Sequence, residues 1–221
     1  MLSLLIIAFS GSGGLYLSEG FGFDFEQYTS GTVSSETIVG EVYYWSASDL
    51  SVKVSYPISQ MIFLRAGDLT IVYPDQDRVI HLKDQDISIL PFMQIIAGVM
   101  KEDYGLTGSG YRLKDFRTDG DTLWTFWSQP SLKRSSSFEV VFINDRVTMV
   151  ELKDSDGKTV TRSVLSDHHP LRRYQIPYKI VTTHFIAEDT ICRRLILHNL
   201  KSIPSPPEWI HRYSGPPGAL R

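Results

Sequence analysis

The sequence predicts a mainly β protein built as one large antiparallel sheet, curved enough to wrap a helix, in a single domain. Three observations predict it. About ten segments rich in strand formers follow one another, joined by short runs of turn residues. Strands joined that tightly are antiparallel neighbours. Several segments alternate with a period of two, most clearly Val52, Val54 and Tyr56 against Ser51, Lys53 and Ser55. That alternation marks a sheet with one apolar and one wet face. Only one segment, 91–105, carries the punctuation of a helix.

The elements follow in chain order. Residues Leu2 to Phe9 form an apolar run of the length found in export signals, and Ser10-Gly11-Ser12 supplies small residues for cleavage beyond it. The run is too short to span a bilayer, which takes about 20 residues. Residues 1–13 are therefore expected to be a signal peptide, and 14–221 the single folded domain. "TIVGEVYYW" (37–45) and "DLSVKVSYP" (49–57) read as strands. "MIFLR" (61–65) turns at Ala66-Gly67-Asp68 into "LTIVY" (69–73), and "PDQD" (74–77) turns into "RVIHL" (78–82). "PFMQIIAGVMKEDYG" (91–105) opens on Pro and closes on Gly, a helix start and stop. Gln94, Ala97, Gly98 and Lys101 form one small or polar stripe, and apolar residues fill the rest, so this helix is covered on more than one side. Strands resume at 121–128, 136–144, 146–154 and 158–167, with hairpin turns at Asn144-Asp145 and 154–157. A last pair is expected at 178–186 and 192–201. The Pro-rich tail from Ser202 is expected to run as extended or turn structure.

Composition excludes some classes of function. The net charge is -3 and Lys and Arg are scattered, so the broad basic face of a nucleic-acid binder is absent. The single cysteine, Cys192, sits among apolar residues and reads as a small buried hydrophobe. "DSDGK" (154–158) has the look of a calcium loop but is flanked by strands, and so reads as a hairpin turn. "DHHP" (167–170) reads as a loop and lacks further ligands at zinc spacing. The Gly-rich stretches 11–22 and 105–110 do not join a strand to a helix as a phosphate loop does, and read as linker or turn. No hydrolase elbow or metalloprotease motif is present. No catalytic residue, metal site or cofactor is predicted.

The aromatic content, eleven Tyr, eleven Phe and four Trp, is high. Several aromatics share a strand face with aliphatics. An open curved sheet with such a face must be covered. A helix covers part of it; the rest is covered either by these side chains packing on one another or by a ligand, since apolar pockets with few polar groups suit acyl chains. The predicted lining is Val54, Tyr56, Ile62, Leu64, Ile71, Tyr73, Trp124, Phe126 and Phe142.

Five segments, in order, carry a resemblance. "FDFEQYTSGTV" from Phe23, "GEVYYW" from Gly40, "VSYP" at Tyr56-Pro57, "AGDLTIVYPDQDRV" (66–79) with "PFMQII" after it, and "YSGPPGALR" at the end together resemble the outer-membrane lipoprotein carrier (LolA-like) family. Gly67-Asp68 stands where the family has Asp-Gly, and Pro216-Pro217-Gly218 lacks a spacer residue. The resemblance implies an unclosed β-barrel with an α lid, in which Phe92, Ile95, Ile96, Val99 and Met100 line the lid helix. It implies a periplasmic, monomeric, non-enzymatic carrier. Its ligand would be the acyl chains of a lipid or lipoprotein, taken from an inner-membrane donor to an outer-membrane acceptor. The same fold also serves as a sensing module in envelope-stress regulation and as an enzyme scaffold. Members carry a longer helix before the first strand, for which residues 15–20 leave little room, and no lid-locking residue aligns.

Overall fold

The structure is a computed structural model and describes residues 20–31, 35–46, 49–84, 91–101, 103–129, 136–186 and 189–213. The expected signal segment lies outside the described residues. Among the described residues, thirteen strands form one antiparallel sheet. They are β1 (Gly20–Ser30), β2 (Ser35–Ser46), β3 (Asp49–Tyr56), β4 (Gln60–Arg65), β5 (Asp68–Tyr73), β6 (Arg78–Leu82), β7 (Arg112–Asp119), β8 (Thr122–Ser128), β9 (Ser137–Ile143), β10 (Arg146–Lys153), β11 (Thr159–Leu171), β12 (Tyr174–Ile186) and β13 (Asp189–Ile203). The described residues also include two short α-helices, α1 (Pro91–Val99) and α2 (Glu208–Tyr213).

The strand order is β6-β5-β4-β3-β2-β1-β13-β12-β11-β10-β9-β8-β7. Chain neighbours β6 and β7 therefore stand at opposite edges, and no ladder joins them among the described residues. The sheet is an unclosed barrel. The chain between its two edges carries α1.

The short hairpins follow from turn chemistry. Ala66-Gly67 and Asn144-Asp145 are two-residue turns with positive φ at both positions, the geometry whose twist matches flanking strands. At 154–158 the Asp154 carboxylate accepts the backbone N–H groups of Asp156 (3.0 Å) and Lys158 (2.9 Å), so the calcium-like motif is a hairpin turn. The stretch 167–170 is strand and not loop: His168 stands opposite Pro177 and His169 opposite Ile176.

The register sorts the two faces. On the inner face, Phe23 stands opposite Val42 and Phe25 opposite Leu197. These belong to the main core, with Leu50, Val52, Leu64, Ile180 and Leu195. The outer face has a smaller cluster. There α2 lays Ile210 against Phe63 and Val72. The Trp209 ring meets Tyr43 at 5.7 Å and Phe63 at 5.9 Å. Within the tail, residues 208–213 thus form a short helix docked on the sheet, where the sequence predicted only extended or turn structure. Proline governs its start, but Trp209 and Ile210 supply a reason to fold back.

The outer face also holds an ion network. Glu151 is buried, and its carboxylate takes Arg162 at 2.7 Å and Lys153 at 3.3 Å, while Lys153 also meets Glu139 at 2.8 Å. Burial alone raises a carboxyl pKa, but Arg162 and Lys153 outweigh it and hold Glu151 below the usual glutamate range. Its stabilising contribution is therefore complete above about pH 4.3, the ordinary glutamate value, and fades as pH falls through the lower folded value. Glu151→Gln should lower the melting temperature at neutral pH and flatten the acid limb of the stability profile. If the melting temperature of Glu151→Gln instead falls in parallel with the wild type between neutral and acid pH, Glu151 has no part in that limb.

Candidate functional site

The candidate site is the inner face together with what covers it. Strands β1 to β5 and β9 to β13 all contribute buried apolar residues to the core that this face builds. Among the described residues, the cover comes from 91–101 and 103–111. Met93 and Ile96 of α1 are fully buried and Met100 is nearly so, a spacing that brings one helix side to the sheet. Ile95 and Val99 are partly buried and pack against the same core. Phe92 lies in α1, but its side chain is outside the described residues.

Beyond α1 the chain doubles back. The Asp103 carboxylate accepts the backbone N–H groups of Gly105 (2.8 Å) and Thr107 (3.1 Å). This turn delivers Tyr104 and Leu106 into the core. Burial raises the Tyr104 phenol far above its ordinary pKa. Tyr111 follows, set edge-on to Phe138 at 4.9 Å with its hydroxyl 2.8 Å from Ser136 Oγ. In sequence, 105–110 reads as a bare turn, and this half of the cover goes unseen. Its signal is three large side chains interleaved with the turn residues.

Gly98 also has a packing role. A Cβ there would stand 2.9 Å from carbons of the Tyr104 ring. The glycine lets the ring of the returning chain lie close on the helix. Gly98→Ala is expected to destabilise the protein by about 1–3 kcal/mol, the usual range for overpacking. Thermal unfolding checks it, and a rise in melting temperature, as helix propensity alone predicts, would contradict the packing role.

The predicted lining residues divide. Val54, Ile62, Leu64 and Ile71 lie on the inner face, with Val54 and Leu64 buried. Phe142 packs against the same core. Tyr73 continues the parity of Ile71 and is half-buried, with the Arg78 guanidinium 5.8 Å from its ring centre. Tyr56 is 56% exposed and stands opposite Val39, past a β-bulge, away from the buried row. Trp124 and Phe126 are on the outer face, opposite Val141 and Glu139. The Arg117 guanidinium covers Trp124 at 4.2 Å.

The reason is that β8 is apolar on both parities, so alternation cannot orient it. Its register places Leu123, Thr125 and Trp127 inward, opposite Phe142, Val140 and Phe138. Thr125 is buried because its hydroxyl donates to the Val140 carbonyl (3.1 Å) and accepts from Trp127 Nε1 (2.9 Å).

Polar groups on the inner face gather toward one end. Ser163 and Thr182 share a buried hydrogen bond of 2.9 Å. His184 Nδ1 lies 3.2 Å from Thr161 Oγ1. Burial and the charge of Arg193 lower the His184 pKa, leaving a neutral ring at neutral pH. Among the described residues no cluster of His, Cys, Asp or Glu is placed to hold a metal ion, and no helix is long and apolar enough to cross a membrane.

No protein family's sequence profile matches the chain, and no curated protein sequence does so. Solved structures do match its fold. A LolA superfamily protein from Nitrosomonas europaea is similar with a TM-score of 0.58 and 16% identity, over 87% of this chain and 90% of that one. An outer membrane lipoprotein-sorting protein domain from Vibrio parahaemolyticus is similar with a TM-score of 0.59 and 11% identity, over 90% and 91% of the two chains. A DUF1329 family protein from Desulfovibrio piger is similar with a TM-score of 0.58 and 8% identity, over 88% and 90%. The shared property is the fold.

Proposed function

We propose that this protein is a periplasmic carrier that shelters the acyl chains of a lipid or lipoprotein against the inner face of its sheet, with 91–111 as a movable lid. One observation carries the reading: the inner face of an unclosed sheet is covered by a segment that belongs to neither edge and adds no strand. A cover that joins no ladder of the sheet can be exchanged for another apolar body without breaking one. Each methylene moved from water to that face contributes about 0.8 kcal/mol, so an acyl chain is a competent replacement. No chemical step is required, and the protein acts by binding and not by catalysis. The likeness of fold to a lipoprotein-sorting domain supports the same reading.

The test is organic extraction of protein purified from a native-like envelope, followed by mass spectrometry. Stoichiometric co-purifying lipid is expected. A protein that carries none, and that fails to bind a fluorescent fatty acid after delipidation, is not a carrier. Export is part of the proposal and rests on the apolar run Leu2–Phe9. N-terminal sequencing from the host envelope should begin near Gly13, and recovery of intact Met1 in the cytosol would overturn that part.

A further inference from the structure

Across the inner face runs a transverse row in which Glu36, Thr29, Arg193, Thr182 and Ser163 stand opposite one another on five adjacent strands. One step toward the middle of the sheet the row is apolar, with Leu195, Ile180 and Leu165 each buried. Arg193 lies four residues from the start of β13, near the end of the sheet where β12 turns into β13. Its Nε is buried and has no hydrogen-bond partner among the described residues. Glu36 is the carboxylate on its row, but it is exposed and stands beyond Thr29. The Ser163 and Thr182 hydroxyls are spent on each other. His184, one step further out, is held by Thr161.

A buried guanidinium N–H without an acceptor is costly, and such groups in folded proteins ordinarily find a partner. This one sits at the boundary between an apolar floor and the rim. That is where the head of an amphiphile lies when its tail is on the floor. We propose that Arg193 is an anchoring site for the anionic head of an amphiphile, a carboxylate or phosphate, whose acyl tail lies on the Leu195–Ile180–Leu165 side. Burial lowers the Arg193 pKa, against the pull of Glu36. The inference rests on the carrier reading and adds the head-group chemistry to it. Arg is suited to this role because its planar fork can take two oxygens at once.

The experiment compares a long-chain fatty acid with the fatty alcohol of the same chain length, each displacing a polarity-sensitive dye from the delipidated full chain. Acetate alone is the third ligand. Wild type should bind the acid about tenfold or more tighter than the alcohol, a difference of about 1.4 kcal/mol, and should not bind acetate. Arg193→Gln should abolish the preference while leaving the alcohol affinity unchanged, and Arg193→Lys should keep part of it. Equal affinities for acid and alcohol in wild type, or a preference that survives Arg193→Gln, overturn the anchoring role alone. Tight acetate binding overturns the amphiphile in favour of a free-anion site. Failure of both amphiphiles to bind overturns the carrier reading and the anchor with it. Circular dichroism of each variant establishes that the sheet is intact.

Discussion

Ile96→Glu is expected to push the lid off the sheet and leave the sheet itself folded. Ile96 is fully buried in the main core. Truncating such a side chain costs about 2–5 kcal/mol. Burying a carboxylate without a partner costs more, so the helix leaves its place before the charge is accepted there. Every backbone ladder of the sheet is made without α1. The strand signal in circular dichroism should therefore persist, while binding of a hydrophobic dye rises several-fold. Cooperative loss of the whole sheet would instead make α1 a fixed part of the core, and the lid would be excluded. Gly98→Ala, by contrast, keeps the helix in place and strains only its contact with Tyr104.

Gly40→Ala is expected to be the most damaging single methyl on the sheet. Gly40 stands between Phe25 on β1 and Val54 on β3, next to a β-bulge. A Cβ there would collide with the Lys53 carbonyl oxygen and come within 2.9 Å of the Phe25 ring. The ring belongs to the packed core, and the carbonyl belongs to the neighbouring strand. Neither yields without opening the β2–β3 ladder or displacing Phe25. The loss should reach about 3 kcal/mol, the upper end for overpacking, read as a lower urea midpoint. A midpoint equal to that of wild type would mean that β2 and β3 do not meet in this register.

The sheet was legible where alternation and tight turns coincide, as in β3 and in the β4–β5 and β9–β10 hairpins. It was not legible in β7, every residue of which is exposed. An edge strand with Arg112, Lys114, Asp115 and Arg117 has no buried face to write into its sequence, and such charges are what discourages further pairing. The β11–β12 hairpin was obscured by Pro170 and Pro177. Pairing of β11 with β10 runs only from Thr159 to Val164, and pairing of β12 with β13 only from Lys179 onward. The outer half of the hairpin therefore has no second ladder among the described residues, and a proline there costs no ladder on its free side. For the site, parity placed Val54, Ile62, Leu64, Ile71 and Phe142 together. It failed for Trp124 and Phe126 because only the register with β9 says which way β8 faces. Arg193 went unnoticed because one charged residue beside Arg194 looks like surface, until the strand pairing turns it inward.

In chain order the lid lies between β6 and β7, the two edge strands of the sheet. In the proposed carrier the lid is then a permanent rival for the surface a guest must occupy. A guest's apparent dissociation constant is the intrinsic one multiplied by one plus the lid's closing constant. A lid favoured by about 1.4 kcal/mol weakens every guest about tenfold, without touching a residue the guest contacts. Rivalry of this kind also sets a threshold of size. A chain too short to replace the apolar area under Met93, Ile96, Met100, Tyr104 and Leu106 cannot win the exchange, whereas a long or multiple chain can. Release obeys the same rule in reverse, because the lid refills the face as the guest withdraws and no bare apolar surface meets water. Substitutions along 91–111 therefore tune retention and discharge together, and leave the thirteen-stranded wall as it is.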